Sequence, residues 1–579
     1  MDRIIRVDMT TLKVKEEKCP AKYALLGGRS LTSQIVADEI QATCNPLGPL
    51  NKLIAAPGVL SGTSAACSGR MSFGGKSPLT GTIKESNVGG IASQKLAKNN
   101  VKAIIIEGEP KDNKWHLLKV TKDGAELVSA DDIAGLGTYA TVEKLWNKHG
   151  KGVGVISIGP AGEERMANAG ISVCDPEGGS GRFAGRGGLG AVMGSKKLKA
   201  IVVDDAGAGK VAIKDEEKFK AAAKIFSQVL LKHPVTGEAL PNYGTAVLVN
   251  ILNEAGGFPT RNFRNGRFAG AAGISGEKIA EECKSRGGEG KAVHVCHPGC
   301  VIRCSNIFPD KNGKSLCAPV EYETAWSLGG NLEVGDIDSV AIMNRICNDV
   351  GIDTIEAGVT LAVAAEAGLA KFGDAASFIK VLEEVGKKTP LGRIVGQGAA
   401  VLGKIYGITR VPVVKGQALP AYDPRTVKGI GVTYATSTMG ADHTAGYSVC
   451  QNILKVGGDI NPLKKEGQVD CSRDMQVATA AVDATGLCLF VAIACLDMPE
   501  GLQAIADMIS AQYGITFTVP DIIELGKSII RTELKFNEAA GFNKNDDRLP
   551  EFFDLETCPP HNINFGITPA ELDQVWAKL

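Results

Sequence analysis

Three cysteines lie close together in the middle of the chain, and their spacing is typical of a metal centre. Cys296, Cys300 and Cys304 are each separated by three residues, and the loop contains His297-Pro298-Gly299. Thiolates suit a soft metal centre, and an iron–sulfur cluster of the [4Fe–4S] type normally takes four of them. A fourth candidate, Cys488, directly follows a turn signal far downstream. The sequence therefore predicts a four-cysteine cluster built from two distant segments.

Other uses of the three cysteines fit the sequence less well. A zinc site usually shows two CxxC pairs, and the chain contains no CxxC. A radical-SAM enzyme typically carries CxxxCxxC near the start of a barrel domain, whereas here the second gap is three residues and the triplet lies mid-chain. Buried structural cysteines account for most of the other twelve of the 15 cysteines, but poorly for three within nine residues.

Size and charge restrict the class of protein. At 579 residues the chain should contain several domains. With 64 basic and 64 acidic side chains, it offers no electrostatic basis for binding nucleic acid or an anionic membrane. The first eight residues form no apolar signal core, and the longest uncharged apolar run, residues 486–496, is shorter than the roughly 18–20 residues that span a bilayer. Cysteines without regular pairing indicate a reducing compartment. We therefore expect a cytoplasmic protein with neither nucleic-acid nor membrane partners.

The first 204 residues indicate a β-rich domain. Short β-prone runs alternate with Gly, Pro and Ser turns, at residues 3–7, 52–56, 103–107, 115–120, 152–158 and 200–203. Charged helical periodicity begins after the Gly207-Ala208-Gly209 break, with helices expected at residues 213–232, 322–329, 337–350 and 354–368. This change of pattern marks a domain boundary.

Two glycine-rich segments of the β-rich domain are expected to be loops. The first runs through residues 69–81 and on to residue 90, and the second covers residues 178–190. Glycine backbone with Arg, Lys, Ser and Asn donors is suited to a phosphate or another anionic cofactor. The second segment contains the dinucleotide fingerprint Gly185-x-Gly187-x-x-Gly190. We reject a Rossmann site, because residues 178–183 are no strand and too few residues follow for a crossover helix.

A few isolated residues could perform acid–base chemistry. Glu321 and Glu323 begin a helix just after the cysteine loop; acidic residues at a helix start also simply complement the helix dipole. His443 lies beside Asp442 in a loop of small residues. In this setting an acid–base role and a purely structural role are about equally expected. Asp353 precedes a helix, where an N-cap is the first interpretation and a cofactor contact the second.

Five further motifs follow one another along the chain. They are Ser77-Pro78-Leu79-Thr80-Gly81 with Ser86-Asn87-Val88-Gly89-Gly90; Ala184-Gly185-Arg186-Gly187-Gly188-Leu189-Gly190-Ala191-Val192-Met193-Gly194-Ser195-Lys196; Pro420-Ala421-Tyr422-Asp423-Pro424-Arg425; Ala435-Thr436-Ser437 with Gly440-Ala441-Asp442-His443; and Asp483-x-x-Gly486-Leu487-Cys488. Together they closely resemble the aldehyde:ferredoxin oxidoreductase family of tungsten enzymes.

This resemblance implies an α+β fold. A β-rich N-terminal domain, residues 1–206, would form the base for two pyranopterin ligands around one tungsten. Two mainly α-helical domains, residues 207–410 and 411–579, would close over it. The implied cofactors are a tungsten bis-pyranopterin, a [4Fe–4S] cluster and Mg²⁺, and in such enzymes no side chain ligates the tungsten.

Matching positions imply the site residues. The resemblance places Cys296, Cys300, Cys304 and Cys488 on the [4Fe–4S] cluster, with Arg70 between cluster and pterin. The residues implied at the pterin phosphates, their bridging Mg²⁺ and the pterin rings are Asn87, Gly89, Arg182, Ala184, Gly185, Arg186, Asp353, Asp483 and Leu487. Glu323, or its neighbour Glu321, and His443 would flank the metal.

The chain departs from the family pattern at two points. Better-known members show CxxCxxxC, whereas this chain has one more residue in the first gap, so the turn that presents Cys296 is left open. No ExxH occurs, which argues against the iron site that joins subunits in some members. The oligomeric state is left open.

The resemblance implies oxidation of aldehydes to carboxylic acids. Electrons would pass through the cluster to ferredoxin or to a ferredoxin-like or flavin subunit. Two alternatives stand beside this hypothesis: a family relative that reduces an aromatic acyl-CoA ring, and an iron–sulfur electron carrier without catalysis of its own.

Overall fold

The computed structural model describes residues 1–579 and begins with two six-stranded sheets. The first sheet has the spatial order β2-β1-β6-β3-β4-β5 and contains β1 (Arg3–Asp8), β2 (Lys13–Lys18), β3 (Leu53–Pro57), β4 (Met71–Lys76), β5 (Ile83–Val88) and β6 (Val101–Glu107). The second has the order β11-β10-β9-β12-β7-β8 and contains β7 (His116–Val120), β8 (Ala125–Ser129), β9 (Gly154–Ser157), β10 (Ile171–Val173), β11 (Arg182–Ala184) and β12 (Leu198–Val203).

Alternating apolar residues make the two sheets pack face to face. On β6, Ile104 and Ile106 point into a core that both sheets share, whereas Ala103 and Ile105 point to the opposite face. On that face they pack against the first helix of the chain. Because side chains of a strand alternate between faces, one short apolar run serves two cores.

Five helices accompany these sheets: α1 (Gly28–Glu39), α2 (Ala92–Lys98), α3 (Thr138–His149), α4 (Pro160–Glu163) and α5 (Leu189–Ser195). Helix α1 covers the outer face of the first sheet, and α3 covers that of the second. The N-terminal part is therefore four layers thick, with helix, sheet, sheet and helix.

All six predicted strands are confirmed, but the loop predictions need correction. Residues 69–90 hold the hairpin β4–β5 rather than a loop, because Ser72 and Phe73 pair with Asn87 and Ser86 across it. Residues 178–183 also contain the start of a strand, β11. The rejection of a Rossmann unit nevertheless holds, since β11 is an edge strand antiparallel to β10 and only the seven-residue α5 follows.

The rest of the chain is mainly helical. It contains α6 (Glu216–Lys232), α7 (Leu240–Tyr243), α8 (Leu248–Glu254), α9 (Gly276–Arg286), α10 (Tyr322–Ser327), α11 (Ile337–Val350), α12 (Thr354–Glu366), α13 (Ala375–Lys387), α14 (Pro390–Val395), α15 (Ala399–Tyr406), α16 (Lys428–Thr436), α17 (Gln468–Thr485), α18 (Val491–Asp497), α19 (Pro499–Tyr513), α20 (Val519–Ala539), α21 (Phe552–Leu555) and α22 (Pro569–Leu572). Two small sheets interrupt the helices: β13 (Lys291–His294), β14 (Ser305–Pro309) and β15 (Ser315–Cys317), and β16 (Val413–Val414) with β17 (Gln417–Ala418).

The predicted α+β class is confirmed, with a β-rich N-terminal region followed by mainly helical regions. The four predicted helices correspond to α6, α10, α11 and α12. The division of the helical part near residue 410 stays a prediction. No helix combines the length and the apolar character that crossing a bilayer requires.

Candidate active site

A cavity of about 430 Å³ lies where the strand ends of the β-rich region meet the helices. Every predicted site residue except Ala184 and Leu487 lines it: Arg70, Asn87, Gly89, Arg182, Gly185, Arg186, Cys296, Cys300, Cys304, Glu321, Glu323, Asp353, His443, Asp483 and Cys488. The side chains of Ala184 and Leu487 are instead buried in the hydrophobic cores. Motifs that are up to about four hundred residues apart in sequence thus share one cavity wall.

A hairpin presents the three clustered cysteines. Their loop connects β13 to β14, which pair antiparallel, and the β-rich region holds it in place through backbone hydrogen bonds. The N–H of Gly90 donates to the carbonyl oxygen of Cys296 at 3.1 Å, and the N–H of Cys67 donates to that of Gly299 at 3.0 Å. Gly89 lies so close that a Cβ added there would be 3.5 Å from Sγ of Cys296.

Cys488 reaches the same place from the end of α17. The helix ends at Gly486, whose φ of 82° only glycine adopts easily. The residues after β3 hold this end, because the N–H of Leu60 donates to the carbonyl oxygen of Thr485 at 2.8 Å. Gly58 is needed there, since an added Cβ would lie 2.0 Å from the nitrogen of Gly486. The N–H of Cys488 then donates to the carbonyl oxygen of Cys67 at 2.9 Å.

The donor set suits an iron–sulfur cluster. The ligand atoms of Cys296, His297 and Cys300 lie within 4.8 Å of one another, and Cys304 and Cys488 line the same cavity. Arg70 adds a buried cation whose Nη2 donates to Sγ of Cys488 at 3.6 Å. Cys67, a fully buried fifth cysteine that contacts both cysteine segments through its backbone, was not among the predicted residues. It has no cysteine neighbour in sequence that would have marked it.

Unsatisfied polar atoms around the cavity fit a large polar cofactor. Buried side-chain atoms normally find hydrogen-bond partners inside the protein. Here seven cavity-lining residues each have a buried atom without one: Nε of Arg70, Oε1 of Glu85, Nδ2 of Asn87, Nε of Arg182, Oγ of Ser305, Oε1 of Glu323 and Nδ1 of His443. Donors and acceptors are both present. This mixture matches the ring edges and phosphates of a pterin better than it matches a purely apolar ligand.

Glu323 and His443 form a buried pair at the cavity wall. Oε1 of Glu323 lies 3.4 Å from Nε2 of His443, and Oε2 accepts the N–H of Ala421 at 3.0 Å. Burial raises the pKa of Glu323 to about 8 and lowers the pKa of His443 to about 4. Both groups are therefore mainly uncharged at neutral pH, and they can exchange a proton with a ligand in the cavity that contacts them.

Glu321 points elsewhere. Its Oε2 accepts the hydroxyl of Thr245, and its Oε1 lies 4.0 Å from Nη1 of Arg182, on the side of the cysteine loop. Glu321 is the N-cap of α10 and Glu323 lies in its first turn, with only Tyr322 between them, so their side chains diverge. The geometry thus favours Glu323 over Glu321 as the partner of His443.

A buried ion pair lies next to the imidazole of His443. Nζ of Lys84, on β5, lies 3.4 Å from Oδ2 of Asp442, and Oδ1 of that carboxylate lies 3.7 Å from Nδ1 of His443. Burial alone would raise the pKa of Asp442, but the cations of Lys84 and Arg186 outweigh it and hold that pKa below its usual value. Gly187, with φ of 81°, leaves room for the Lys84 chain. Sequence reasoning missed Lys84, because residues 69–90 were expected to be a loop, where a lysine is normally exposed.

The remaining predicted residues have structural partners as well. Asp353 is the N-cap of α12, as its first interpretation held: its Oδ2 accepts the N–H of Glu356 at 2.9 Å and lies 3.4 Å from Nε of Arg186. Asp483 faces Nη1 of Arg29 at 3.3 Å, and Arg29 also forms a bidentate pair with Glu533, with both bonds at 2.9 Å. Nothing local in the sequence marks Arg29 or Glu533, which are 504 residues apart.

Known proteins resemble the whole chain. Residues 4–205 match the family description "Aldehyde ferredoxin oxidoreductase, N-terminal domain", and residues 221–574 match "Aldehyde ferredoxin oxidoreductase, domains 2 & 3". The tungsten-containing aldehyde ferredoxin oxidoreductase of Pyrococcus furiosus is 36% identical over 98% of this chain and 93% of its own length. That of Thermococcus kodakarensis is 35% identical over 97% and 93%.

More distant similarities extend the comparison. The aliphatic sulfonate oxidoreductase, WOR-like subunit, of Pyrococcus furiosus is 27% identical over 76% of this chain and 74% of its own length. The active site complex BamBC of benzoyl coenzyme A reductase shares the fold, with a TM-score of 0.81 at 19% identity, over 100% of this chain and 94% of that one. The family matches over residues 4–205 and 221–574 and the relative that is 36% identical over nearly the whole chain show that the chain belongs to the aldehyde ferredoxin oxidoreductase family.

Proposed function

We propose that this protein is a tungsten-dependent oxidoreductase that converts aldehydes to carboxylic acids. The observation that carries the proposal is the single cavity in which four cysteines from two distant segments lie beside the buried Glu323–His443 pair. The names of the relatives at 35–36% identity agree with it. An iron–sulfur electron carrier alone would have no need of a buried acid–base pair.

The chain's own residues would hold the cofactors as follows. Cys296, Cys300, Cys304 and Cys488 would bind a [4Fe–4S] cluster, with the Arg70 guanidinium between cluster and pterin. The residues that would contact two pterins, their phosphates and Mg²⁺ are Asn87, Gly89, Arg182, Ala184, Gly185, Arg186, Asp353, Asp483 and Leu487, of which Ala184 and Leu487 would offer backbone groups. The unsatisfied atoms of Asn87 and Arg182 support this assignment.

Oxidation of an aldehyde adds one oxygen atom from water and releases two electrons and two protons. A bound tungsten–pterin centre would accept the electron pair, and the cluster would pass the electrons singly to ferredoxin or a partner redox subunit. The protein must remove the protons. We infer that the carboxylate of Glu323 accepts a proton at Oε1, while His443 orients the aldehyde oxygen and relays the proton through Nε2.

The direct test is an anaerobic assay of the purified protein with acetaldehyde or benzaldehyde and a viologen dye as acceptor. The proposal expects dye reduction with one carboxylic acid formed per two electrons. Absence of aldehyde oxidation together with reduction of an aromatic acyl-CoA ring would overturn it. A protein that exchanges electrons with ferredoxin but turns over neither substrate would indicate a carrier instead.

The raised pKa of Glu323 predicts a pH dependence. A base must be ionised to accept a proton, and with a pKa of about 8 only about one-tenth of the molecules carry the carboxylate at pH 7. We expect kcat/KM to rise about tenfold between pH 7 and pH 9 and then to level off. His443 has its pKa at about 4, so it contributes nothing to this limb. Glu323→Gln should remove the limb, and a kcat/KM that falls over this range would contradict the assignment of Glu323 as the base.

Lys84→Met is expected to affect turnover through His443 rather than through cofactor content. Without the Lys84 cation, the Asp442 carboxylate acts more strongly on the imidazole 3.7 Å away and favours its charged form. We expect the pKa of His443, about 4 in the wild type, to rise by about one unit and to move the corresponding low-pH inflection of the kcat/KM profile, while the Glu323 limb between pH 7 and pH 9 keeps its position.

A matched control is Lys102→Met. Lys102 is an equally buried lysine of the first sheet whose Nζ donates to the carbonyl oxygen of Ala24 at 2.9 Å, and it does not line the cavity. This variant should leave the pH profile unchanged. Equal profiles for both variants would remove Lys84 from the mechanism.

A further inference from the structure

One side of the cavity is apolar. Beside the Glu323–His443 pair, the wall is formed by Leu240, Leu248, Ile251, Leu454, Phe490 and Ile493, which we call the apolar arm. Leu248 and Ile251 lie on α8, which packs against α10, the helix that carries Glu323. Ile493 lies on α18, which packs against the turn before α7. Ile251 is 40% exposed, so the arm reaches the protein surface.

Two short π-helical turns border the arm. They are Val235–Ala239 and Cys450–Leu454, and each contributes at least one residue to the cavity wall. A π-turn is less stable than an α-helical turn, and such turns are frequent at functional sites. Two of them on one wall indicate that this side of the cavity is shaped for a ligand.

The apolar arm contains no charged side chain, and the cavity's cations come from another part of the chain. The cavity's four arginines all belong to the β-rich region, and each has at least one partner: Arg29 pairs with Glu533, Arg70 with Cys488, Arg182 with His294, and Arg186 with Asp353. The unsatisfied Nε atoms of Arg70 and Arg182 are those assigned above to the cofactors. No lysine lines the cavity. An anionic group in the arm would therefore lose its hydration without gaining a cation.

Polar groups stand where the arm meets the reactive pair. The hydroxyls of Tyr422 and Tyr447 lie 2.7 Å apart, and the two rings are 6.1 and 6.2 Å from the imidazole of His443. A ligand lying along the arm would thus place a polar head at Glu323 and His443 and an apolar tail toward Ile251.

We propose that the apolar arm binds the tail of the substrate, and that it selects uncharged aldehydes with apolar chains against aldehydes that carry a carboxylate, phosphate or sulfonate. The selection rests on the proposed aldehyde oxidation, and the geometry of the arm adds the substrate class. The sulfonate and acyl-CoA named for two distant relatives are the kind of ligand that this arm excludes.

Turnover of the holoenzyme tests the selection. From acetaldehyde to hexanal, kcat/KM should rise about 3- to 4-fold per added methylene, as expected for burial of one CH₂. Butanal should exceed succinic semialdehyde, which has the same chain length and a terminal carboxylate, by at least about 100-fold. Equal kcat/KM values for these two would overturn the proposal.

A cation introduced at the mouth should relax the selection. Ile251→Arg places a guanidinium at a half-exposed position of the arm. The ratio of kcat/KM for butanal to kcat/KM for succinic semialdehyde should fall about tenfold or more. Ile523→Arg is the matched control, because Ile523 is 47% exposed on α20 and does not line the cavity. An unchanged preference in Ile251→Arg, or the same narrowing in both variants, would exclude Ile251 from the selecting wall.

Binding of unreactive amides separates this proposal from the proposed function. Butyramide and succinamate imitate the two aldehydes and undergo no oxidation, and their Kd values can be measured on the holoenzyme by calorimetry. Tighter binding of butyramide supports the arm even if no aldehyde is oxidised, in which case only the proposed function fails. Succinamate binding as tightly as butyramide would refute the arm whether or not aldehydes are oxidised.

Discussion

His443→Ala is expected to lower kcat for aldehyde oxidation by about 10²–10⁴-fold, the usual contribution of an acid–base group. Nε2 of the imidazole lies 3.4 Å from Oε1 of Glu323, an oxygen with no hydrogen-bond partner in the protein, so removal of the imidazole interrupts the proton path. Tungsten, pterin and iron contents should stay at wild-type values, because His443 offers no ligand to the cysteine site. Anaerobic kinetics and metal analysis on the same preparation check both parts.

His561→Ala provides the control for this variant. His561 also uses a ring nitrogen, donating Nε2–H to the carbonyl oxygen of Ala255 at 2.8 Å, but it does not line the cavity. Its loss should leave kcat within a few-fold of wild type. Wild-type turnover in His443→Ala would remove the residue from the mechanism, and loss of tungsten in that variant would make it a structural residue.

Cys488→Ser is expected to remove both the cluster and turnover. Serine oxygen is a poor replacement for thiolate on iron, and the other three ligands come from one hairpin that cannot complete the set. Loss of the cluster also breaks the exit path for electrons, so activity with a viologen dye should fall by at least about 100-fold. Iron content and the visible absorption of the cluster provide the measurement.

Cys495→Ser is the matched control, seven residues further along the chain. Cys495 is half-buried on α18 and does not line the cavity. The variant should keep its iron and its turnover. Full iron content in Cys488→Ser would mean that another residue completes the ligand set, and Cys67, which hydrogen-bonds through its backbone to the Cys488 segment, would then be the residue to replace next.

Local sequence patterns predicted those parts of the fold that depend on short-range periodicity. The apolar runs at Ile104 and Ile201 gave strands, and the pattern of α11 gave the bounds of that helix. The hairpin β4–β5 was missed because Gly74 and Gly75 interrupt its apolar pattern. They are required there, since a Cβ on Gly74 would meet the side chain of Thr32 at 2.6 Å. That packing partner lies in another element and leaves no local mark in the sequence.

The residues of the candidate site divide in the same way, into those that a local motif marks and those that only a distant partner explains. The cysteines and His443 stand in recognisable motifs, Glu323 follows the cysteine loop closely in sequence, and all of them line one cavity. Lys84 and Arg29 do not, because a buried cation is recognisable only beside its partner, and the partner of Lys84 is 358 residues away. The bulk of the charged network around the cavity is of this long-range kind, and it becomes visible only in the folded chain.

Metal analysis of anaerobically purified protein tests the central claim most directly. The account predicts about four iron atoms, one tungsten atom and two pterins per chain, with the iron lost in Cys488→Ser and retained in Cys495→Ser. Iron without tungsten or pterin would contradict the proposed catalysis and would leave an electron carrier. Tungsten with no iron would contradict the four-cysteine cluster on which the electron path depends.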